Sequence, residues 1–259
     1  RYFARSPVNR FLFGILPYLC LAVFVVGHYW RYTYDKFGWT TRSSQLYEDR
    51  LLRIGSPLFH FGMLGVIGGH ILGLLIPQKW TDAIGISRHT YHVLALVGGI
   101  PAGIAAVAGL AILVYRRRTT GPVFSATTIN DKIMYAVLGV VIVLGIWNTI
   151  AGSWLQFGGE YNYRSGVSVW FRSIFELRPD VALMAAAPIG FKIHAVAAFL
   201  LFALWPFTRL VHVFSAPIGY FTRPYIVYRS RDARSGVAGG VRAPQGTWDK
   251  PGLKSQEKV

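Results

Sequence analysis

The chain has 259 residues, of which 53% are hydrophobic, 15% charged and 15% aromatic, with a formal net charge of +16 and a mean hydropathy of +0.39. A soluble domain carries about 25% charged residues, and the single Cys20 excludes a disulfide scaffold, a cysteine zinc site, a cysteine-ligated iron–sulfur cluster and covalent c-type haem. The basic excess does not point to nucleic acid, because it lies in loops between long apolar runs, as membrane topology requires.

A bilayer-spanning helix needs roughly 20 mostly apolar residues. Five stretches qualify, at about 11–30, 57–76, 91–115, 133–154 and 189–214. The expected fold is all-α, an integral membrane bundle of five transmembrane helices. The first span reads as an anchor rather than a cleaved signal, because Tyr29, Trp30, Arg31 and Tyr32 follow it as an interfacial belt.

Positive charge sets the orientation. The loops 31–56 and 116–132 and the tail 215–259 hold seventeen basic residues, against eight on the opposite side. The bias predicts the N-terminus outside and a cytoplasmic C-terminal tail, in the cell (cytoplasmic) membrane. Residues 1–214 are expected to form the transmembrane domain. The tail, 215–259, turns rich in Gly, Ala, Pro and charge from Ala233. Alone in water such a segment stays disordered, so it is expected to dock on partner subunits.

Four of the seven histidines fall within spans: His60 and His70 in the second, His194 and His212 in the fifth. Ionisable residues at membrane depth are costly and point to function. One such histidine is as well explained by a hydrogen bond to a neighbouring helix; four, two on each of two helices, are not. At about 100° per residue, His194 and His212 share a face and His60 and His70 differ by about 80°. The two spans run antiparallel, so His60 pairs with His212 near the cytoplasm, and His70 with His194 nearer the outside. Two such pairs are what two bis-histidine haem b groups need. The rises differ, ~15 Å for the first pair of positions and ~27 Å for the second, and tilt or a kink at Pro206 is expected to absorb the difference.

The surroundings add candidates. Gly62, Gly65, Gly68 and Gly69 allow close approach of either a flat macrocycle or a helix. Arg209 lies on the His212 face and needs an anion, which a haem propionate supplies. Lys192 can serve the outer haem or snorkel to the interface. Arg88, His89 and His92 form a basic cluster at the outer start of the third span, where a quinol head group or plain solvent is the expected neighbour.

Ser43-Ser44-Gln45, the run Ser56-x-Leu58-Phe59-His60-x-Gly62-x-Leu64-Gly65 with His70, and Pro206-Phe207-x-Arg209-Leu210-x-His212 resemble the gamma subunit of respiratory nitrate reductase, a di-haem cytochrome b membrane anchor. The similarity covers most of residues 10–232, five spans included. The resemblance implies haem axial ligation by His60 with His212 and by His70 with His194. It implies oxidation of quinol (menaquinol or ubiquinol) beside the outer haem. It also implies electron transfer through the inner haem to an iron–sulfur beta subunit and a molybdenum catalytic alpha subunit, which reduces nitrate. The family's quinol site includes a lysine at the outer start of the third helix. An ungapped count from His70 puts Thr90 there, and Arg88, His89 or His92 are the candidates to replace it. Gly73, one turn beyond His70, keeps the small residue expected beside the quinol.

Other readings fare worse. Formate dehydrogenase or hydrogenase cytochrome b anchors usually have four spans. A histidine-relay transporter predicts acids within the spans, whereas all eleven acids lie in loops, at span edges or in the tail. A structural anchor without haem leaves four histidines and Arg209 without partners.

Overall fold

The structure is a computed structural model that describes residues 6–35, 38–39, 44–155 and 161–215, with backbone alone at 153 and 154. The tail expected to dock on partners lies outside the described residues from 216 onward, as does Ser43 of the loop motif. All regular structure among the described residues is helical. Five helices are long and apolar enough to cross a membrane: α1 (Pro7–Tyr34), α2 (Arg50–Leu75), α4 (Arg88–Thr119), α6 (Ile129–Gly152) and α9 (Ile189–Phe207). Short helices α3 (Gln78–Ala83), α5 (Gly121–Ser125), α7 (Val167–Phe175) and α8 (Val181–Ala186) occupy the connections.

The helices overrun the apolar stretches because polar side chains cap them. The Ser87 hydroxyl accepts the Thr90 N–H at 3.1 Å to start α4. Thr128 and Asp131 exchange side-chain bonds with each other's backbone N–H, a capping box that starts α6. Three spans widen into π-turns, at Phe11–Ile15, Ile71–Leu75 and Asn148–Trp154. The fifth span departs from expectation. It does not run as one helix to Phe214. The α-helix ends at Leu204, Trp205–Phe207 tighten into a 3₁₀ turn, Thr208 is extended, and a separate 3₁₀ segment carries Arg209–Ser215. Pro206, which has no N–H to continue the ladder, is the physical cause.

In lipid, apolar burial does not drive helices together, so close backbone approach does much of the packing. The most extensive contact is α2 against α4. A Cβ at Gly62 would sit 2.5 Å from the Ala106 backbone nitrogen, and one at Gly109 would collide with the Phe59 backbone. A second core joins α1, α7, α8 and α9 through Phe13, Trp170, Met184 and Phe199. There Trp170 donates from Nε1 to the Phe13 carbonyl at 2.9 Å.

At the other end, Arg116 is 1% exposed and holds the loop before α2. It donates to the Ser44 hydroxyl at 2.9 Å, to the Ser44 carbonyl at 2.8 Å, and to both the carbonyl and the carboxylate of Glu48. Glu48 accepts the Leu51 N–H at 2.7 Å. That N–H and the Arg116 guanidinium hold its carboxyl below the usual carboxylate range.

Two predictions follow from these contacts. Gly109→Ala must push α2 and α4 apart, and overpacking of this kind costs about 1–3 kcal/mol. It should lower the thermal midpoint in detergent, while Gly98→Ala, which meets nothing within 4 Å, should not. Because its folded pKa is depressed, the contribution of Glu48 is present at neutral pH and is lost as pH falls through the carboxylate range. Glu48→Gln should therefore lower the thermal midpoint at pH 7, and the difference from the native chain should shrink as pH falls through the carboxylate range.

Candidate functional site

The four histidines come together two by two. His60 on α2 faces His212 on the 3₁₀ segment, with ring centroids 6.0 Å apart and ring planes at 65°. His70, ten residues further along α2, faces His194 on α9 at 6.1 Å and 36°. The partners are those expected from antiparallel spans, and the chain departs from the helix at Pro206, where a kink was expected. His212 is not on the helix that carries His194. The break at Pro206–Thr208 frees the last segment to reach His60, which removes the mismatch in axial rise.

Three of the four rings are oriented by their own backbone. Nδ1 of His60 donates to the Ser56 carbonyl at 2.7 Å, Nδ1 of His70 to the Val66 carbonyl at 2.8 Å, and Nδ1 of His212 to the Arg209 carbonyl at 2.6 Å. A carbonyl only accepts, so Nδ1 carries the hydrogen and Nε2 keeps its lone pair. This is the arrangement that second-shell bonds impose on metal-ligating histidine. His194 differs: its Nδ1 is buried without a hydrogen bond, although the Val141 carbonyl is close enough to act on it electrostatically. Gly145 makes room for this ring, since a Cβ there would stand 3.1 Å from Cε1.

The spacing between rings suits a metal held from both sides. Two metal–nitrogen bonds of about 2 Å each, placed end to end, set imidazole centroids about 6 Å apart. Among the described residues no cluster of three or more His, Cys, Asp or Glu side chains surrounds a common point, so the donor sets are pairs. The glycines of α2 divide by role. Gly62 and Gly65 pack on α4, at Ala106 and Ala102, whereas a Cβ on Gly68 or Gly69 would meet nothing within 4 Å. The donor pairs and the open face beside Gly68 and Gly69 both fit a large flat ligand.

Arg209 has a partner that the sequence reading did not assign. Its Nε and Nη2 grip Asp131 at 2.7 and 2.8 Å, a bidentate pair with both side chains largely buried. The same carboxylate completes the α6 capping box, bonding the Thr128 N–H at 3.0 Å. Asp131 thus ties α6 to the residue whose carbonyl orients His212. The Thr-x-x-Asp pattern at Thr128–Asp131 was the available signal. Lys192 is half-buried two residues before His194 and makes no ion pair among the described residues.

The His70–His194 end of the site is also built differently. Arg88, His89 and Thr90 are exposed, His92 is half-buried, and Thr90 serves the cap of α4 through Ser87. The residue of this turn that reaches Gly73 is Tyr91. A Cβ at Gly73 would stand 3.2 Å from the Tyr91 hydroxyl and 3.0 Å from the Tyr163 hydroxyl. Those hydroxyls are 3.2 Å apart. Tyr163 stacks on Phe191, three residues before His194, with centroids 6.2 Å apart. The Arg164 guanidinium lies 3.9 Å over the Tyr91 ring.

The segment around α7 also satisfies the last carbonyls of α2. Ser168 donates to Gly73 at 2.7 Å, Arg172 to Leu74 at 2.8 Å, and Arg164 to Ile76 at 3.1 Å. Two of the three donors are cations, which suit a helix C-terminus.

Known proteins resemble this chain over most of its length. Residues 9–231 match the family model described as nitrate reductase gamma subunit. A nitrate reductase-like protein NarX of Mycobacterium tuberculosis is 61% identical over 225 residues, 87% of this chain and 34% of the relative. The chain thus spans about a third of the length of that relative. The nitrate reductase gamma chain of Bacillus subtilis is 45% identical, over 86% of this chain and 99% of its own. The respiratory nitrate reductase 2 gamma chain of Escherichia coli is 36% identical, over 86% and 98% respectively. With five helices able to span a bilayer and a family match from Asn9 to Arg231, the chain is a multi-pass membrane protein and belongs to the nitrate reductase gamma subunit family.

Proposed function

We propose that this chain is the di-haem cytochrome b subunit of a quinol-oxidising respiratory nitrate reductase. It hands electrons from the outer side of the membrane to iron–sulfur and molybdenum partner subunits on the cytoplasmic side. The observation that carries this reading is the pair of facing imidazoles at each end of α2, with Nδ1 of three of the four rings tied to backbone. His60 and His212 would hold the inner b-type haem, and His70 and His194 the outer one, and each haem would supply a one-electron iron couple.

The chain's own groups do the rest. Nδ1 bonding to carbonyls leaves Nε2 as the nitrogen available to a metal in His60, His70 and His212. Arg209 turns Nε and Nη2 toward Asp131, and its remaining Nη1 suits a propionate at the inner site. Lys192 suits one at the outer site. The bias of basic residues toward the loops 31–56 and 116–132 and the tail puts the His60–His212 end on the cytoplasmic side, nearest the partners. Quinol, arriving from the bilayer, is oxidised beside the outer pair, and its protons leave on the outer side.

A dithionite-reduced minus oxidised spectrum of the purified chain should show two b-type haems per polypeptide. His212→Ala should leave one, and so should His194→Ala. A folded, haem-supplied wild type without haem would overturn the reading. Asp131→Asn strands Arg209, and breaking a buried pair costs about 3–5 kcal/mol. It should lower the thermal midpoint and weaken the haem signal lost in His212→Ala, while sparing the one lost in His194→Ala. Retention of both signals and of the midpoint would show that the pair does not support the inner site.

A further inference from the structure

We infer that the hydroxyl pair of Tyr91 and Tyr163 is the hydrogen-bonding contact for the quinol head group at the outer histidine pair. The inference rests on the function proposed above and assigns residues to its substrate site. Tyr163 is anchored to both helices of that pair, one turn beyond each histidine. It touches Gly73, three residues after His70, and stacks on Phe191, three residues before His194. Tyr91 brings its hydroxyl to the same glycine from α4. Any side chain larger than hydrogen at 73 would push both hydroxyls away.

The hydrogen count favours a ligand. Two hydroxyls carry two hydrogens, and the single bond between them, at 3.2 Å, uses one. The other hydrogen and the spare lone pairs remain for a guest. A quinol hydroxyl both donates and accepts, which is the complement of such a pair. Arg164 strengthens the donor. Its guanidinium lies over the Tyr91 ring at 3.9 Å and is itself 5% exposed, fixed by Thr81 at 2.9 Å and the Ile76 carbonyl at 3.1 Å. A cation over the ring draws charge from the phenol and makes its O–H the better donor. Arg164 also lines an open cavity of about 560 Å³ with Gln78, Lys79 and Glu176. The two tyrosines fill the role for which Thr90 is unsuited, being spent on the cap of α4.

The test uses the assembled enzyme in native membranes with duroquinol as donor. Dithionite reduction first counts haem, and a wild-type chain without haem overturns the proposed function and this inference with it. With two haems present, Tyr91→Phe and Tyr163→Phe should each raise the KM for duroquinol at least tenfold. In both, kcat should change less than threefold and dithionite-reducible haem should be unchanged. Tyr34→Phe, at an exposed tyrosine of α1, should leave KM where it is. A rise in one tyrosine variant alone still supports the pair, with that hydroxyl as the contact. Unchanged KM in both, with full haem, overturns the inference. Should neither variant assemble, photolabelling of the native enzyme with an azidoquinone decides. Label on the peptides carrying Tyr91 or Tyr163 supports the assignment, and label confined elsewhere overturns it.

Discussion

The backbone contact of α2 on α4 is the constraint on which the remaining geometry depends. Gly62 against Ala106 and Gly109 against Phe59 leave no space for a single Cβ, so α2 has one rotation about its axis and one height along α4. Both histidines of α2 inherit that setting. His60 sits one residue from the Phe59 backbone that Gly109 receives. In a bilayer, where apolar surface gains little by leaving lipid for protein, contact of this kind specifies a helix pair more sharply than any matching of greasy side chains.

A second layer of order comes from hydrogen bonds that never leave the local backbone. The three imidazole bonds reach back three or four residues. They survive small shifts between helices, because each ring moves with its own turn. Longer ties join one element to another, among them Asp131 to Arg209 at one end, and Ser168, Arg172 and Arg164 to the end of α2 at the other. Polar groups in a low-dielectric setting make such ties strong and make their absence costly.

Much of this was legible in the sequence. Hydropathy gives the five spans, because the physics of spanning acts on each stretch separately. Antiparallel alternation gives the partners of His60 and His70, since that requires only which end is which. What failed to show was whatever depends on a chain break or a distant partner. Continuous helical arithmetic put His194 and His212 on one face, although Pro206 ends that helix. Arg209 called for an anion, and the nearest in space lies 78 residues away in sequence. At the His70–His194 end, charge drew the eye to Arg88, His89 and His92. The side chain that turns inward is the neutral Tyr91, and its partner Tyr163 lies in a stretch without clear hydropathic period.

The two histidine sites differ in mechanical character. His194 sits within a regular helix, braced on both sides by turns of the same ladder. His212 belongs to a short 3₁₀ segment, cut off from that helix by an extended Thr208 and followed by three described residues. The first site stands within one helix; the second is carried by a short segment tied down from outside, by Asp131 on Arg209 and by the Arg31 guanidinium on the Pro206 and Thr208 carbonyls. Because the break at 206–208 parts this segment from the helix of His194, a shift of the segment moves the His212 ring relative to His60 and leaves the spacing of His194 and His70 to the packing of α9.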